Sequence, residues 1–286
     1  AAWGGFYLPF TEYEWDFGDG SDPLSSDAIT VEHTYTATGA FTATLTVSNP
    51  GGADEVTSVI EVNEQTTPHL DEDFEAYEVD DQPLYWLDQK RDTSPGDYFQ
   101  VWWAGDSKAL GATYENTTVY SHYAIPGWPA WQNYEYRGRL KMDQADSGIG
   151  LAFYSRYPAN EQKAYVLRRY AGAAETERFH LTAFGTALGG QTDLGVTPQA
   201  NTWYQFRVQV STHPSSDPGQ VADRVNVRAK VWARDTEEPT DWTLTMKDPS
   251  PNPAGSPGLY AYSVAITSKT KGTEVLFDNV AITPNE

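Results

Sequence analysis

Short runs of alternating apolar and polar residues recur from residue 28 almost to the end of this chain, and no long stretch has helical periodicity. In FTATLTVSN, Phe41, Ala43, Leu45 and Val47 alternate with Thr42, Thr44, Thr46 and Ser48, so one face packs inward and a threonine face meets water. AITVEHTYTAT before it and EVTSVIEV after it read as further short strands, separated by Gly, Pro or Asp. The same texture returns in EYRGRLKM, GIGLAFYSR, KAYVLRRYA, RFHLTAF, WYQFRVQVS, RVNVRAKVWAR, GLYAYS and TEVLFDNVAI. Such a pattern predicts an all-β chain of packed antiparallel sheets rather than an α/β fold, a coiled coil or a fibre.

The 286 residues exceed one ordinary domain, so two are expected. EQTTPHL carries Pro and polar residues between two strand-rich regions and divides the chain into a domain at 1–64, a linker at 65–70 and a domain at 71–286. Acidic residues number 40 against 19 basic ones, a formal net charge of −21, and a nucleic-acid backbone is repelled by such a surface. The first Lys or Arg is Lys90, with 19 Asp and Glu before it, a segment suited to solubility or to divalent cations. Without cysteine there is no disulfide framework, thiolate metal site or cysteine nucleophile. No run approaches the ~20 apolar residues of a membrane span, and the amino end lacks a signal peptide's basic start and apolar run, so any export signal is expected to have been removed.

WDFGDGS at 15–21 is a turn in which Gly18 and Gly20 permit positive φ and Asp16 and Asp19 bond turn amides, with Trp15 and Phe17 packed beneath. Together with EHTYTATGAFTATLTVSNPGG at 32–52, it closely resembles the PKD (polycystic kidney disease) domain. The resemblance implies an immunoglobulin-like β-sandwich, a non-catalytic spacer or adhesive module of secreted and cell-surface proteins. Only some fourteen residues precede the turn, so the first strand is expected to be missing, through cutting of a longer polypeptide or as an edge left for another chain to complete.

DEDFEAY, RAKVWARDTEEPTDWTLT at 228–245, GLYAYS and VLFDNVAI resemble a larger concanavalin A-like, laminin-G-type jelly-roll β-sandwich spanning 71–283. The resemblance implies that its first and last strands are neighbours, bringing Asp71, Asp73 and Glu75 near Asp278. Clustered carboxylates repel, so either a structural Ca2+ sits between Asp73 and Asp278 or these residues cap strand ends in water.

Alternation supplies a ligand face. With Ile149, Leu151 and Phe153 inward, Tyr154 and Arg156 point out beside Gly150 and Ala152. The same parity directs Tyr260 and Tyr262, His180 and Arg207 outward, while KAYVLRRYA leaves the register of Tyr165 and Arg168 open. Tyrosine rings stack on pyranoses and Arg donates paired hydrogen bonds, so this face suits a polysaccharide, although outward Tyr and Arg also simply cover sheets. Trp102, Trp103, Trp128 and Trp131 fall in loop-like text, and Trp131 is the expected stacking platform at the groove mouth, unless it folds over to close the core.

No E-x-D-x-x-E strand, alginate-lyase-type motif, G-x-S-x-G elbow, H-E-x-x-H helix or phosphate loop occurs, and the five histidines show no ligand spacing. Asn116-Thr117-Thr118 matches a glycosylation acceptor. The expected function is a non-catalytic polysaccharide-binding module with a PKD spacer, a fragment of a larger secreted or cell-surface protein whose other domains are further partners. The alternatives are a glycoside hydrolase or lyase on the same scaffold and a structural or adhesive surface subunit.

Overall fold

The computed structural model describes residues 12–28, 30–62, 68–91, 94–112, 117–125, 131–144, 147–156, 164–170, 177–184, 188, 192–214, 222–249, 252–262 and 275–285. They form antiparallel strands and, among the described residues, no helix, so none is long and apolar enough to cross a membrane. Contacts divide the chain into two units, Ala1–Gln65 and Thr66–Glu286.

In the first unit β1 (Glu12–Asp16), β2 (Leu24–Ser26), β3 (Gly39–Asn49) and β4 (Gly52–Val62) make one sheet in the order β2-β1-β3-β4. The turn after β1 behaves as its residues dictate. Gly18 adopts φ 72° and a Cβ there would lie 2.3 Å from the Thr42 carbonyl oxygen, so only glycine fits. Asp16 accepts from the Gly18 N–H at 2.9 Å, and Asp19 accepts from the Ser21 N–H at 3.1 Å and contacts His33 Nε2 at 2.8 Å. Residues 30–38, expected to be a strand, are irregular. They instead carry His33 across Phe17 with ring centroids 3.7 Å apart, and the Tyr35 hydroxyl donates to the Phe17 carbonyl at 3.1 Å.

The second unit is a sandwich. Its eight-stranded sheet runs β16 (Leu244–Asp248), β15 (Ala222–Ala233), β14 (Tyr204–Pro214), β10 (Tyr134–Met142), β18 (Val275–Pro284), β8 (Lys108–Ala112) and β7 (Phe99–Trp103), with β5 (Leu70–Glu72) also on β18. The six-stranded sheet runs β13 (His180–Phe184), β12 (Ala164–Arg169), β11 (Gly148–Ser155), β17 (Ser256–Tyr262), β9 (Thr118–Tyr123) and β6 (Trp86–Lys90). Inward residues at every second position, among them Phe206, Val208 and Phe277 from one sheet and Leu151, Phe153 and Leu259 from the other, build a single core. Burying each such side chain stabilises the fold by roughly 1.5–3 kcal/mol. Opening and closing strands of this unit are neighbours, with Asp71 opposite Ala281.

Asp88 ties the edges of the two sheets together. It lies on β6 with 3% exposure, and its Oδ2 accepts from the N–H groups of Tyr98 at 2.9 Å and Phe99 at 2.7 Å, where β7 begins in the other sheet. Burial pushes its pKa from 3.8 up to about 7. An unfolded chain releases this proton near pH 4 and the folded chain holds it until near pH 7, so the stabilisation is complete below pH 4 and is lost as pH rises through 7. Asp88→Asn keeps an oxygen for both N–H groups and removes the titration. Denaturant melts at pH 5 and pH 8.5 are expected to show the wild type losing on the order of 2–4 kcal/mol more than the variant over that range; parallel pH profiles would refute the assignment.

Candidate functional site

Strand register gathers the site. Gln89 on β6, Tyr120 on β9, Tyr260 on β17, Gly150 on β11, Arg168 on β12 and His180 on β13 are successive cross-strand partners, one row that crosses all six strands of the smaller sheet on the face away from the core. At a strand spacing of ~4.8 Å the row is about 24 Å long. Gly150 is its low point: a Cβ there would lie 2.2 Å from the Leu167 carbonyl oxygen and 2.6 Å from Arg168 Cβ, so its hydrogen lets the Arg168 side chain lie across the sheet. The guanidinium is 5.1 Å from the Tyr260 ring centroid, 4.9 Å from Tyr170 and 5.5 Å from Phe184. Among the described residues no carboxylate pairs with it, so cation–π contacts hold its charge. Tyr120 packs on Tyr260 at 5.5 Å and Tyr262 on Tyr170 at 5.3 Å.

Two adjoining cavities open along this row. One is lined by Gln89, Lys90, Tyr120, His122 and Ser155, the other by Thr118, Tyr120, Arg168 and Tyr170, and Arg91 and Phe184 border both. His122 Nε2 lies 3.1 Å from Gln89 Nε2, and complete burial holds its pKa down at about 3, so the ring is neutral at physiological pH. Burial pushes the Tyr120 hydroxyl up to about 12 and raises Tyr260 and Tyr262, and burial also lowers His180. The floor is therefore uncharged and amphipathic, with cations at its rim.

Of the nine expected ligand residues, Arg168, His180, Tyr260 and Tyr262 share this face. Tyr260 does so with no exposed surface, because Arg168 and Tyr120 cover it, so it supports the groove floor instead of presenting an open ring. Arg156 follows β11 and is exposed.

Tyr154 is not on this face. A bulge between Ala152 and Ser155, with Tyr154 at φ 49°, reverses parity and turns the ring into the core. Its hydroxyl accepts from the Asn133 N–H at 2.8 Å and shares a 2.9 Å hydrogen bond with the Thr212 hydroxyl. Tyr165 is also inward: it stands opposite Phe153, stacks on it at 5.6 Å and donates to Asp248 at 2.7 Å.

Arg207 belongs to β14 and so to the outer face of the other sheet, where it donates to Glu135 at 2.7 Å and Glu238 at 3.0 Å. Trp131 is no platform: it is fully buried, 6.1 Å from Tyr123, and its carbonyl accepts from the Gly255 N–H. Trp103 is the exposed tryptophan of its pair, at 57%, beside the half-buried Trp102, while Trp128 and Asn116 lie outside the described residues.

Sequence reasoning missed Gln89, Tyr120, His122, Tyr170 and Phe184. The signal for two of them was the alternation in TVYSHY, where Val119 and Ser121 face in and Tyr120 and His122 face out.

Among the described residues no group of three or more His, Cys, Asp or Glu side chains is placed to hold a metal ion. Asp278 is buried against Arg139, whose guanidinium donates to it twice and supplies the neutralising charge, while Asp73 accepts from the Glu75 N–H at 3.1 Å.

The family model of the PKD domain matches residues 8–63. That stretch carries the WDFGDG turn and its supporting His33 and Tyr35, and the first unit is hereafter the PKD-like unit. No curated protein matches the chain. Among solved structures, a galectin-like-fold protein of unknown function from Bacillus subtilis is similar over 75% of this chain and 98% of its own, at 11% identity and TM-score 0.39. The catalytic domain of a GH131 beta-glucanase from Podospora anserina is similar over 71% and 85%, at 12% identity and TM-score 0.36. Likeness this distant carries no argument about activity, and the sandwich rests on its strand pairings.

Tyr154→Phe separates a core tyrosine from a ligand contact. Loss of the hydroxyl leaves the Asn133 N–H and the Thr212 hydroxyl short of a partner, and urea unfolding of the second unit is expected to show a loss of about 1–3 kcal/mol with glycan affinity unchanged in the folded protein. Unaltered stability with weakened affinity would return Tyr154 to the binding face.

Proposed function

We propose that the second unit is a polysaccharide-binding module on a concanavalin A-like jelly-roll scaffold, and that the PKD-like unit is its spacer within a larger secreted or cell-surface protein. The row Gln89–Tyr120–Tyr260–Gly150–Arg168–His180 carries this reading. A site about 24 Å long that crosses every strand of a sheet is suited to an extended chain rather than to one small molecule. Tyr120 in the row and Tyr170 and Tyr262 beside it are part-exposed rings suited to pyranose faces, and the amide, guanidinium and hydroxyl groups offer hydrogen bonds to the ring substituents. Gly150 keeps the middle of the row low enough for a chain to settle between flanking side chains.

The same residue types, Gln, His, Tyr and Arg, would serve a lyase acting on uronic-acid polymers. Their protonation favours binding. A general base works best with a pKa near the operating pH, whereas His122 sits at about 3 and Tyr120 at about 12. Among the described residues the two cavities carry no carboxylate in their lining, so the carboxylate pair of a glycoside hydrolase is not assembled there.

Affinity electrophoresis of the full chain through gels containing neutral β-glucan, xylan or galactan tests the proposal. At least one polymer is expected to retard the protein, with no release of reducing ends or unsaturated products. Arg168→Ala and Tyr120→Ala should each weaken retardation at least tenfold, and Trp103→Ala, on the other sheet, should leave it unchanged. Product formation would establish an enzyme. Retardation lost only with Trp103→Ala would move the site, and the absence of retardation in every gel would turn the reading toward a structural or adhesive subunit.

A further inference from the structure

The outer face of the eight-stranded sheet lies on the opposite side of the sandwich and has a different chemistry. Arg137 on β10, Arg207 on β14 and Lys230 on β15 are direct cross-strand partners, three cations in one row. Like charges placed opposite one another across strands are destabilising. Two carboxylates hold them together: Glu135 accepts from Arg137 and Arg207, and Glu238 accepts from Arg207 at 3.0 Å and pairs with Lys230 at 2.7 Å. Trp242 covers the row, 5.2 Å from both Arg207 and Lys230.

The next row is Arg139, Gln205 and Trp232. Beyond the paired groups, Lys141, Arg228 and Arg234 have no carboxylate partner among the described residues, and Lys141 rests on Trp203 at 5.3 Å. Cations thus outnumber carboxylates on this face of a chain whose formal net charge is −21, the carboxylates being Glu135, Glu238, Asp278 and Asp71 among the described residues.

A cavity opens within this face. Arg137, Arg139 and Arg234 converge on it with Gln205 and Asn279, Trp232 lines it, and Glu238 is its one carboxylate. Gly138 and Phe206 also line it, and Gly138 has no Cβ because one would lie 2.6 Å from the inward Phe206 ring. The lining is rich in donors and poor in acceptors. Asp278 pairs with Arg139 and Glu135 with Arg137, whereas Arg234 is exposed and has no carboxylate partner among the described residues.

We propose that this cavity is a second, separate saccharide site that takes an acidic sugar residue of a polyanionic glycan, with the guanidinium groups on its carboxylate or sulfate and Trp232 beside its ring. Arg is the side chain best matched to such oxyanions, since its planar fork donates in pairs. The strongly acidic remainder of the protein confines a polyanion to this face. The site stands apart from the six-stranded face and does not rest on the reading proposed for it.

The test uses the full chain with oligogalacturonate as the carboxylate probe, heparin-derived oligosaccharide as the sulfate probe, and a 20-base-pair DNA duplex as competitor. One of the two glycans is expected to bind with an affinity that falls as salt rises. The double variant Arg137→Ala/Arg234→Ala, at exposed positions and checked by circular dichroism and thermal melting, should weaken that glycan at least tenfold, while Arg168→Ala leaves it unchanged. Neutral-glycan retardation should show the reverse pattern. The carboxylate and sulfate arms identify the acid group. The proposal is overturned if neither glycan binds, if the double variant binds as the wild type does, if Arg168→Ala alone abolishes binding, or if the duplex displaces the glycan at equal charge concentration.

Discussion

Buried tyrosine hydroxyls hold the sandwich to one geometry. Tyr134 accepts from the Tyr154 N–H at 2.9 Å and donates to the Gly255 carbonyl, Tyr136 donates to the Gly258 carbonyl, and Tyr154 joins Asn133 and Thr212. These bonds run from β10 and β14 in one sheet to β11 and β17 in the other. Apolar packing alone tolerates small slides between layers, but a hydroxyl deprived of its partner inside a core costs about 1–3 kcal/mol, so the hydrogen bonds select one alignment. The bulge at Tyr154 is the backbone adjustment that makes this alignment reachable, since it brings the ring inward one position early.

From that alignment follow the two outer faces and their separate chemistries. On the six-stranded side, pairing through Gly150 puts the Arg168 guanidinium among three aromatic rings over a floor of neutral side chains. On the eight-stranded side, pairing through Arg207 sets cations side by side and recruits Glu135 and Glu238 between them. Nearly half the acidic residues of the chain precede its first basic one, so basic side chains are confined to the second unit and cluster where strand register places them.

Much of the fold was legible in the residues. Alternation in RVNVRAKVWA and WYQFRVQV set the inward residues, and the same parity placed His180, Tyr260 and Tyr262 on an outward face. The WDFGDG turn announced its own geometry, because positive φ at Gly18 and the short side-chain bond from Asp16 are local. The site was less legible. Tyr154 obeys alternation up to the residue before it, and one inserted position reverses it; Tyr165 sits in a run with apolar or aromatic residues at consecutive positions, where parity has no anchor. Arg168 and Arg207 look alike as outward arginines on strands, yet they point away from one another on opposite sheets. Tyr120 and His122 required knowing that β9 lies beside β17, a pairing between residues more than a hundred positions apart.

The amino-acid sequence by itself determined that this chain is all-β, that a glycine–aspartate turn begins the PKD-like unit, that a larger sandwich follows, and which side chains of each regular strand face the core. These are consequences of short-range sterics and a two-residue period. Tertiary structure alone decided which strands are neighbours, which sheet each arginine joins, where a bulge reverses parity, and that Asp278 meets Arg139. The reason is physical: strand pairing is a long-range choice made by the whole core at once, and a single bulge, invisible to periodicity, moves every later side chain to the other face.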